Sequence, residues 1–127
     1  MNNRAVISTP DAPEAIGPYS QAIKVGNTVW LSGQIPLVPG SMELVTGSID
    51  DQARQVFRNL SAVAEAAGGS LNNAVKINIS LTDMGDFAAV NEVMAEFLQP
   101  PYPARACVQV AGLPKGVAIE VEAILAV

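Results

Sequence analysis

The clearest alternation of hydrophobic and polar residues runs from Val75 to Thr82, in the middle of the chain. Every odd position there is aliphatic and every even position is polar. Because successive side chains of a strand point to opposite faces, this stretch predicts a strand with one buried face. Gly26-Asn27 predicts a two-residue hairpin between two further apolar runs. Strands are predicted at Arg4–Ser8, Ser20–Val25, Thr28–Leu31, Val75–Thr82, Ala104–Val110 and Val117–Val127.

Two other segments repeat their hydrophobic residues at helical spacing. The first lies between Ser48, with Asp51 three residues on as in a capping box, and a glycine pair that ends the helix at 68–69. The second follows Asp83 or Asp86 as its cap and ends at the prolines of 100–103. The apolar stripes are Ala53, Val56, Phe57, Leu60, Val63, Ala64 and Ala67 in the first helix, and Phe87, Val90, Val93, Met94, Phe97 and Leu98 in the second.

The predicted order of elements is β-β-β-α-β-α-β-β, without an internal repeat. Two helices on one face of a mixed sheet are the natural packing of these elements, so the pattern predicts a two-layer α+β fold. The length of 127 residues corresponds to a single domain spanning 1–127. A chain of this size can bury about two-thirds of its surface without disulfides or metals.

The last predicted strand, Val117–Val127, is apolar on both faces, although Glu120 and Glu122 interrupt one of them. A strand that is apolar on both sides is usually covered on both sides. Charged residues make up 15% of the chain, against about 25% in an ordinary soluble domain. With helices on one face only, another subunit is the simplest cover for the second face.

Composition excludes several kinds of chemistry. The net charge is −5 and there is no basic run, which argues against nucleic-acid binding. The chain contains no histidine, so Ser-His and Cys-His nucleophiles and His-ligated metals are excluded. Its single cysteine, Cys107, excludes an internal disulfide and a Cys-x-x-Cys pair. No secretory signal and no run of about 18 apolar residues is visible, so a cytoplasmic location is expected.

Candidate chemistry lies in the last two predicted strands. Alternation places Arg105, Cys107 and Gln109 on one face of Ala104–Val110. If a four-residue turn joins the two strands as a hairpin, Gln109 falls opposite Glu120 and all four side chains share a face. A slip of one residue in that register would move Glu120 to the other face.

An arginine and a glutamate on one surface have two interpretations. The guanidinium suits a small carboxylate, because two parallel hydrogen bonds define both charge and orientation. A glutamate on a partly buried apolar surface can act as general acid or base, since burial raises its pKa toward neutrality. The alternative is a purely structural ion pair between Arg105 and Glu120.

Other polar residues also have both a structural and a functional interpretation. Tyr19 is a structural phenol or a proton donor. Ser32-Gly33 is a strand-ending turn, or a place where backbone N–H groups reach a ligand. Asn91, beside the apolar stripe of the second helix, hydrogen-bonds backbone or a ligand. Cys107 is interpreted as a small hydrophobic residue, because no histidine is present to deprotonate it.

Seven segments, in order and at nearly constant spacing, give the chain an end-to-end similarity to a known family. They are 16–22 (IGPYSQA), 32–36 (SGQIP), 52–60 (QARQ to NL), 65–68 (EAAG), 86–91 (DFAAVN), 103–105 (PAR), and 113–115 (LPK) leading to 119–122 (IEVE). In these segments the chain resembles the RidA/YjgF (reactive intermediate deaminase) family.

The resemblance implies a chorismate-mutase-like fold assembled as a homotrimer, with a central β-barrel and sites in the clefts between subunits. It implies a 2-iminobutanoate/2-iminopropanoate deaminase, a hydrolase acting on imines and enamines that pyridoxal-phosphate-dependent dehydratases release. The products are a 2-oxo acid and ammonia, and neither a cofactor nor a metal is implied. Two alternatives stay open: a non-catalytic trimeric binder or sensor of small 2-oxo acids, and, less favoured by charge and composition, a ribonuclease.

By the same resemblance, Arg105 binds the substrate carboxylate and Glu120 activates water and moves protons. The residues implied to line the pocket are Tyr19, Ser32, Gly33, Asn91, Arg105 and Cys107. The chain departs from the family at Met94, where an aromatic residue is common, and at Ala106, where serine is frequent. Its segment 98–101 is shorter than in some relatives. These departures affect the expected pocket size and substrate preference.

Overall fold

Six strands form one mixed sheet in the computed structural model, which describes residues 3–127. The strands are β1 (Ala5–Ile7), β2 (Ala22–Val25), β3 (Thr28–Gln34), β4 (Ala74–Leu81), β5 (Ala104–Gln109) and β6 (Ile119–Ala126). The helices are α1 (Ile49–Ala66) and α2 (Phe87–Phe97). The order across the sheet is β1-β2-β3-β6-β4-β5. The predicted order of elements along the chain is therefore confirmed.

Both helices begin at polar caps. The Ser48 side chain accepts a hydrogen bond from the backbone N–H of Asp51, as the sequence predicts for α1. Of the two predicted caps for the second helix, Asp83 caps a short 3₁₀ turn that precedes α2, whereas the Asp86 side chain makes no capping bond. Neither helix among residues 3–127 is long and apolar enough to cross a membrane.

The hydrophobic core lies between the helices and one face of the sheet, which we call the closed face. Ile77 and Ile79 of β4 and Val121 of β6 are fully buried there, together with Phe57 and Leu60 of α1. Burying each such side chain stabilises the fold by about 1.5–3 kcal/mol. The apolar stripes of both helices are thereby confirmed. The one-sided strand is confirmed from Ile77 to Leu81, but a register shift between Ala74 and Lys76 leaves Val75 49% exposed.

The opposite, open face of the sheet is only partly covered. Val6, Trp30 and Val108 point to it and are 66%, 46% and 51% exposed. On β6, Ile124 is half-buried and Glu122 is exposed on this face. The expectation that another subunit covers the open face stays a prediction.

The predicted hairpin between the last two strands is wrong. β5 pairs in parallel with β4, while β6 lies between β3 and β4 and is antiparallel to both. Two parallel neighbours need a crossover connection, and α2 supplies it between β4 and β5. Burial is the physical reason for the position of β6: its closed-face residues are almost wholly buried in a central position that an edge strand does not offer. The hairpin predicted at Gly26-Asn27 is confirmed, because Val25 pairs with Thr28.

Candidate active site

Arg105 lies on the edge strand β5 and is held by helix α2. It is in register with Ile77 of β4, so its side chain leaves the sheet on the closed face, where α2 packs. One guanidinium nitrogen, Nη1, donates a hydrogen bond to Oδ1 of Asn91. The guanidinium carbon lies 5.0 Å from the centre of the Phe87 ring, within the range of a cation–π contact. Two residues of one helix therefore orient the cation.

Among the described residues, the charge of Arg105 has no acidic partner. Over residues 3–127, the ion pairs within 4.0 Å join Arg54 to Asp51 and Glu96, and none involves Arg105. Arg105 is exposed, and its hydrogen bond to Asn91 goes to a neutral amide. A guanidinium presents five donors in a rigid fork. Arg105 is thus both oriented and available to a planar anion.

A cavity of about 410 Å³ lies beside this guanidinium. We call it the arginine pocket. Its lining residues are Asn91, Met94, Ala95, Leu98, Tyr102, Pro103 and Arg105. Its wall is mostly apolar and includes the flexible side chain of Met94, which is 8% exposed.

Glu120 lies on the opposite, open face of the sheet. It is in register with Ser80 of β4, and it borders a cavity of about 520 Å³ that we call the glutamate pocket. The residues that line this pocket include Tyr19, Ser32, Gly33, Lys115, Glu120 and Glu122.

The glutamate pocket has a β-bulge in its wall. Leu31 of β3 pairs with Ala123 and Gln34 pairs with Val121, so two residues of β3, Ser32 and Gly33, lie opposite one residue of β6. The hydroxyl of Ser32 donates to the carbonyl of residue 20, and its N–H donates to that of residue 21. The hydroxyl thus links the end of β3 to the segment that leads into β2.

Burial raises the pKa of Glu120 above its ordinary value, and the nearby carboxylate of Glu122 raises it further. Glu122 accepts a hydrogen bond from the side chain of Asn78. A carboxyl group whose pKa moves toward neutrality can take up and release a proton during a reaction. Glu120 therefore has the electrostatic properties of a general acid–base group.

The surroundings of Tyr19, Cys107 and Gln109 give less support for a chemical role than those of Arg105 and Glu120. Tyr19 is 51% exposed at the edge of the glutamate pocket. The sulfur of Cys107 contacts that of Met84 at 4.0 Å, and burial raises the pKa of the thiol, although Arg105 opposes this. A thiol with a raised pKa is a poor nucleophile at neutral pH. Gln109 accepts a hydrogen bond from the N–H of Met84, which is a structural role.

Within one chain, the structure does not bring Arg105 and Glu120 together. The predicted common face for the two is wrong, because β4 separates their strands and they leave the sheet on opposite faces. Asn91 and Cys107 accompany Arg105, while Tyr19 and the bulge accompany Glu120. The candidate residues thus form two separate groups.

The sequence interpretation missed two side chains of these groups. Phe87 was assigned to the apolar stripe of α2, and nothing in the periodicity showed that its ring would face Arg105. Lys115, which borders the glutamate pocket, has a positive φ of 57° in the turn before β6. In residues 3–127 no cluster of three or more His, Cys, Asp or Glu side chains could hold a metal ion.

Comparisons with known proteins agree on one family. The family model described as Endoribonuclease L-PSP matches residues 9–127. The chain is 51% identical over 127 residues, 100% of this chain and 99% of the relative, to the protein of Dermatophagoides farinae named 2-iminobutanoate/2-iminopropanoate deaminase. The crystal structure of RidA from the Antarctic bacterium Psychrobacter sp. matches with a TM-score of 0.93 and 58% identity, over 97% of this chain and 99% of that one. The structure of E. coli TdcF with bound serine matches with a TM-score of 0.91 and 43% identity, over 97% and 98% of the chains.

Proposed function

This chain belongs to the Endoribonuclease L-PSP (RidA/YjgF) family, and we propose that it is a 2-iminobutanoate/2-iminopropanoate deaminase. The reaction adds water across the C=N bond of a small 2-imino acid, and the products are a 2-oxo acid and ammonia. The observation that carries the proposal is an exposed, oriented guanidinium that has no acidic partner in residues 3–127 and lies beside a largely apolar pocket. Full-length similarity to a relative of that name supports the same reaction.

In this proposal Arg105 binds the substrate carboxylate. Two parallel hydrogen bonds from its fork would define the position of the neighbouring imine carbon. Asn91 and Phe87 keep the fork in place before substrate arrives, which reduces the entropy lost on binding. The net charge of −5 does not attract an anion, so the attraction is local.

Glu120 activates the attacking water. The substrate reacts as its protonated imine: the Glu120 carboxylate takes a proton from the water as the C–O bond forms, the C=N electron pair moves to the nitrogen, and a neutral carbinolamine results. The protonated Glu120 then gives that proton to the nitrogen. The C–N bond breaks as the carbonyl forms, the hydroxyl proton returns to the Glu120 carboxylate, and ammonia leaves. The raised pKa of Glu120 suits both steps. Tyr19, Ser32 and Gly33 line the glutamate pocket beside Glu120, while Cys107 lies on the face of the sheet that carries Arg105.

The complete site contains residues of two subunits of a homotrimer. Arg105 and Glu120 leave one sheet on opposite faces, so a neighbouring copy has to supply one of them. The partly uncovered apolar side chains of the open face, Val6, Trp30 and Val108, provide a surface for that neighbour. This is the simplest arrangement that unites the arginine pocket and the glutamate pocket.

The activity is tested in a coupled assay. A pyridoxal-phosphate-dependent threonine dehydratase generates 2-iminobutanoate, and the release of 2-oxobutanoate is followed with and without this protein. We expect faster release with the protein, in proportion to its concentration. Tight binding of 2-oxobutanoate without any acceleration of imine decay would identify a binder and contradict the proposed activity.

The two-subunit site is tested by complementation. Arg105→Ala and Glu120→Gln chains carrying different tags are co-expressed, and mixed assemblies are purified through both tags. Each mixed trimer has both native groups at one of its three interfaces, so about a third of the wild-type activity should return. In the control, Arg105→Ala chains are mixed with Arg105→Ala/Glu120→Gln chains and stay inactive. Equal inactivity of both mixtures would show that the site is not shared.

A further inference from the structure

Gly33 and Glu120 lie in direct contact across the β3–β6 boundary. A Cβ atom at position 33 would lie 2.9 Å from Cδ, 3.0 Å from Cγ and 3.1 Å from Oε2 of Glu120. These distances are shorter than van der Waals contact between carbon and these atoms. The carboxyl end of Glu120 therefore occupies the space that any other residue at position 33 would fill.

Contact with the Glu120 side chain, and not backbone conformation, favours a glycine at this position. Gly26 and Gly116 have φ values of 59° and 69°, in the left-handed region that favours glycine, and nothing lies within 4 Å of their absent Cβ atoms. Gly33 has no such positive φ, so alanine could adopt its backbone conformation. The methyl group of an alanine there would, however, contact the side chain of Glu120 in its present position.

The backbone around Gly33 is not free to retreat from the carboxyl group. Its neighbour Ser32 donates two hydrogen bonds to the carbonyls of residues 20 and 21, and Gln34 pairs with Val121. These bonds hold the bulge on both sides of Gly33. A side chain at position 33 would therefore displace Glu120 and leave β3 in place.

We propose that Gly33 is a positioning residue, whose missing side chain lets the carboxyl group of Glu120 lie over the bulge of β3 at the glutamate pocket. A methyl group at this position would move the carboxyl away from the place where it handles water and nitrogen. The catalytic consequence rests on the proposed function. The packing of Glu120 against Gly33 does not depend on it.

The packing is tested by a double-mutant cycle on melting temperature. Gly33→Ala is introduced into the wild-type chain and into a Glu120→Ala chain. We expect Gly33→Ala to be less favourable for Tm in the wild-type background than in the Glu120→Ala background, because Cβ meets the carboxyl group only in the former. In the Glu120→Ala background we expect an unchanged or higher Tm, because the obstacle is gone and alanine loses less backbone entropy than glycine on folding.

Gly112→Ala is the matched control for this cycle. Gly112 also lacks a positive φ, and nothing lies within 4 Å of its absent Cβ. This substitution should change Tm equally in both backgrounds. If Gly33→Ala alone does not fold, folding of the Gly33→Ala/Glu120→Ala chain still supports the packing. An equal Tm change from Gly33→Ala in both backgrounds, or two unfolded proteins, would overturn it.

The positioning role is tested by kinetics in the coupled assay. Gly33→Ala should lower kcat at least about tenfold, a part of what general acid–base help contributes, and KM should change little because Arg105 is untouched. The acidic limb of the pH–rate profile should move to lower pH, because a carboxyl group displaced toward water loses the burial that raises its pKa. An unchanged kcat and pH profile would overturn the positioning role. If the wild-type chain itself is inactive while the Tm cycle shows coupling, the proposed function fails and the packing stands.

Discussion

The arginine pocket and the glutamate pocket differ in how each holds its charged group. Arg105 is exposed on an edge strand, and it is oriented by a neutral amide and an aromatic ring. Glu120 is half-buried on a central strand, with a second carboxylate nearby and a glycine beneath it. The first environment leaves a cation ready for an anion, while the second makes an anion costly and favours its protonated form.

The position of each strand in the sheet explains this difference. A side chain on edge strand β5 can extend beyond the sheet and reach Asn91 on α2. A side chain on central strand β6 has strands on both sides, so it has to lie over a neighbour, and Gly33 on β3 makes that possible. The roles proposed for the two residues, substrate binding and proton transfer, thus correspond to different environments.

The largest effect is expected from removing the cation. Arg105→Ala should lower kcat/KM for 2-iminobutanoate by about 10²–10⁴, since two charge-assisted hydrogen bonds contribute about 1.5–3 kcal/mol each. Tm should hardly change, because the side chain is exposed and forms no ion pair with any other described residue. The kcat/KM of Arg105→Lys should lie between those of the wild type and Arg105→Ala, because lysine retains the charge but lacks the forked guanidinium. Unchanged turnover in Arg105→Ala would contradict the role of the arginine pocket.

Removing the acid should separate activity from stability. Glu120→Gln should lower kcat by about 10²–10⁴, the usual contribution of a general acid–base group. At neutral pH the same variant should melt at a higher temperature than the wild type, because a half-buried carboxylate beside Glu122 is replaced by a neutral amide. Tm and kcat of both proteins are measured at pH 7.

The pH dependence of this stability difference has a definite sign. Folding raises the pKa of Glu120 above its ordinary value of 4.5, so the folded state binds the proton more tightly than the unfolded state. The stability that Glu120 contributes is therefore present below pH 4.5 and is lost as the pH rises through the folded pKa. The Tm advantage of Glu120→Gln should grow from acidic to neutral pH. An advantage that does not vary with pH would contradict the raised pKa.

A smaller effect is expected from removing the hydrogen bond that orients Arg105. Asn91→Ala should raise KM about tenfold with little change in kcat, because one hydrogen bond to a charged group is lost while Arg105 itself remains. Glu92→Ala, at the exposed neighbouring position of α2, is the matched control and should leave KM unchanged. Steady-state kinetics that show a fall in kcat alone would contradict an orienting role for Asn91.

The smallest effect is expected at Cys107. Burial raises the pKa of its thiol, so the group is protonated at neutral pH and is not a nucleophile. Cys107→Ala should retain kcat/KM within about threefold, in contrast to the variants of Arg105 and Glu120. A loss of a hundredfold would show that the thiol takes part in the reaction.

Much of the fold was predictable from local patterns, but the neighbourhood of the site was not. The alternation from Ile77 to Thr82 and the Ser48 cap each depend on a few adjacent residues, and both were confirmed; at Val75 a register shift interrupts the alternation. The proximity of Phe87 to Arg105 involves residues 18 positions apart (105 − 87). No periodicity encodes such a contact, because it depends on how α2 packs beside β5.

By itself, the sequence determined which segments become strands and helices, which faces are apolar, and which residues can carry chemistry. Short-range spacing and capping suffice for these features. Only the tertiary structure decided that β6 lies between β3 and β4, and therefore that Glu120 faces away from Arg105 and rests on Gly33. Strand order depends on where a whole strand is best buried, so it is settled by contacts between segments far apart in the chain.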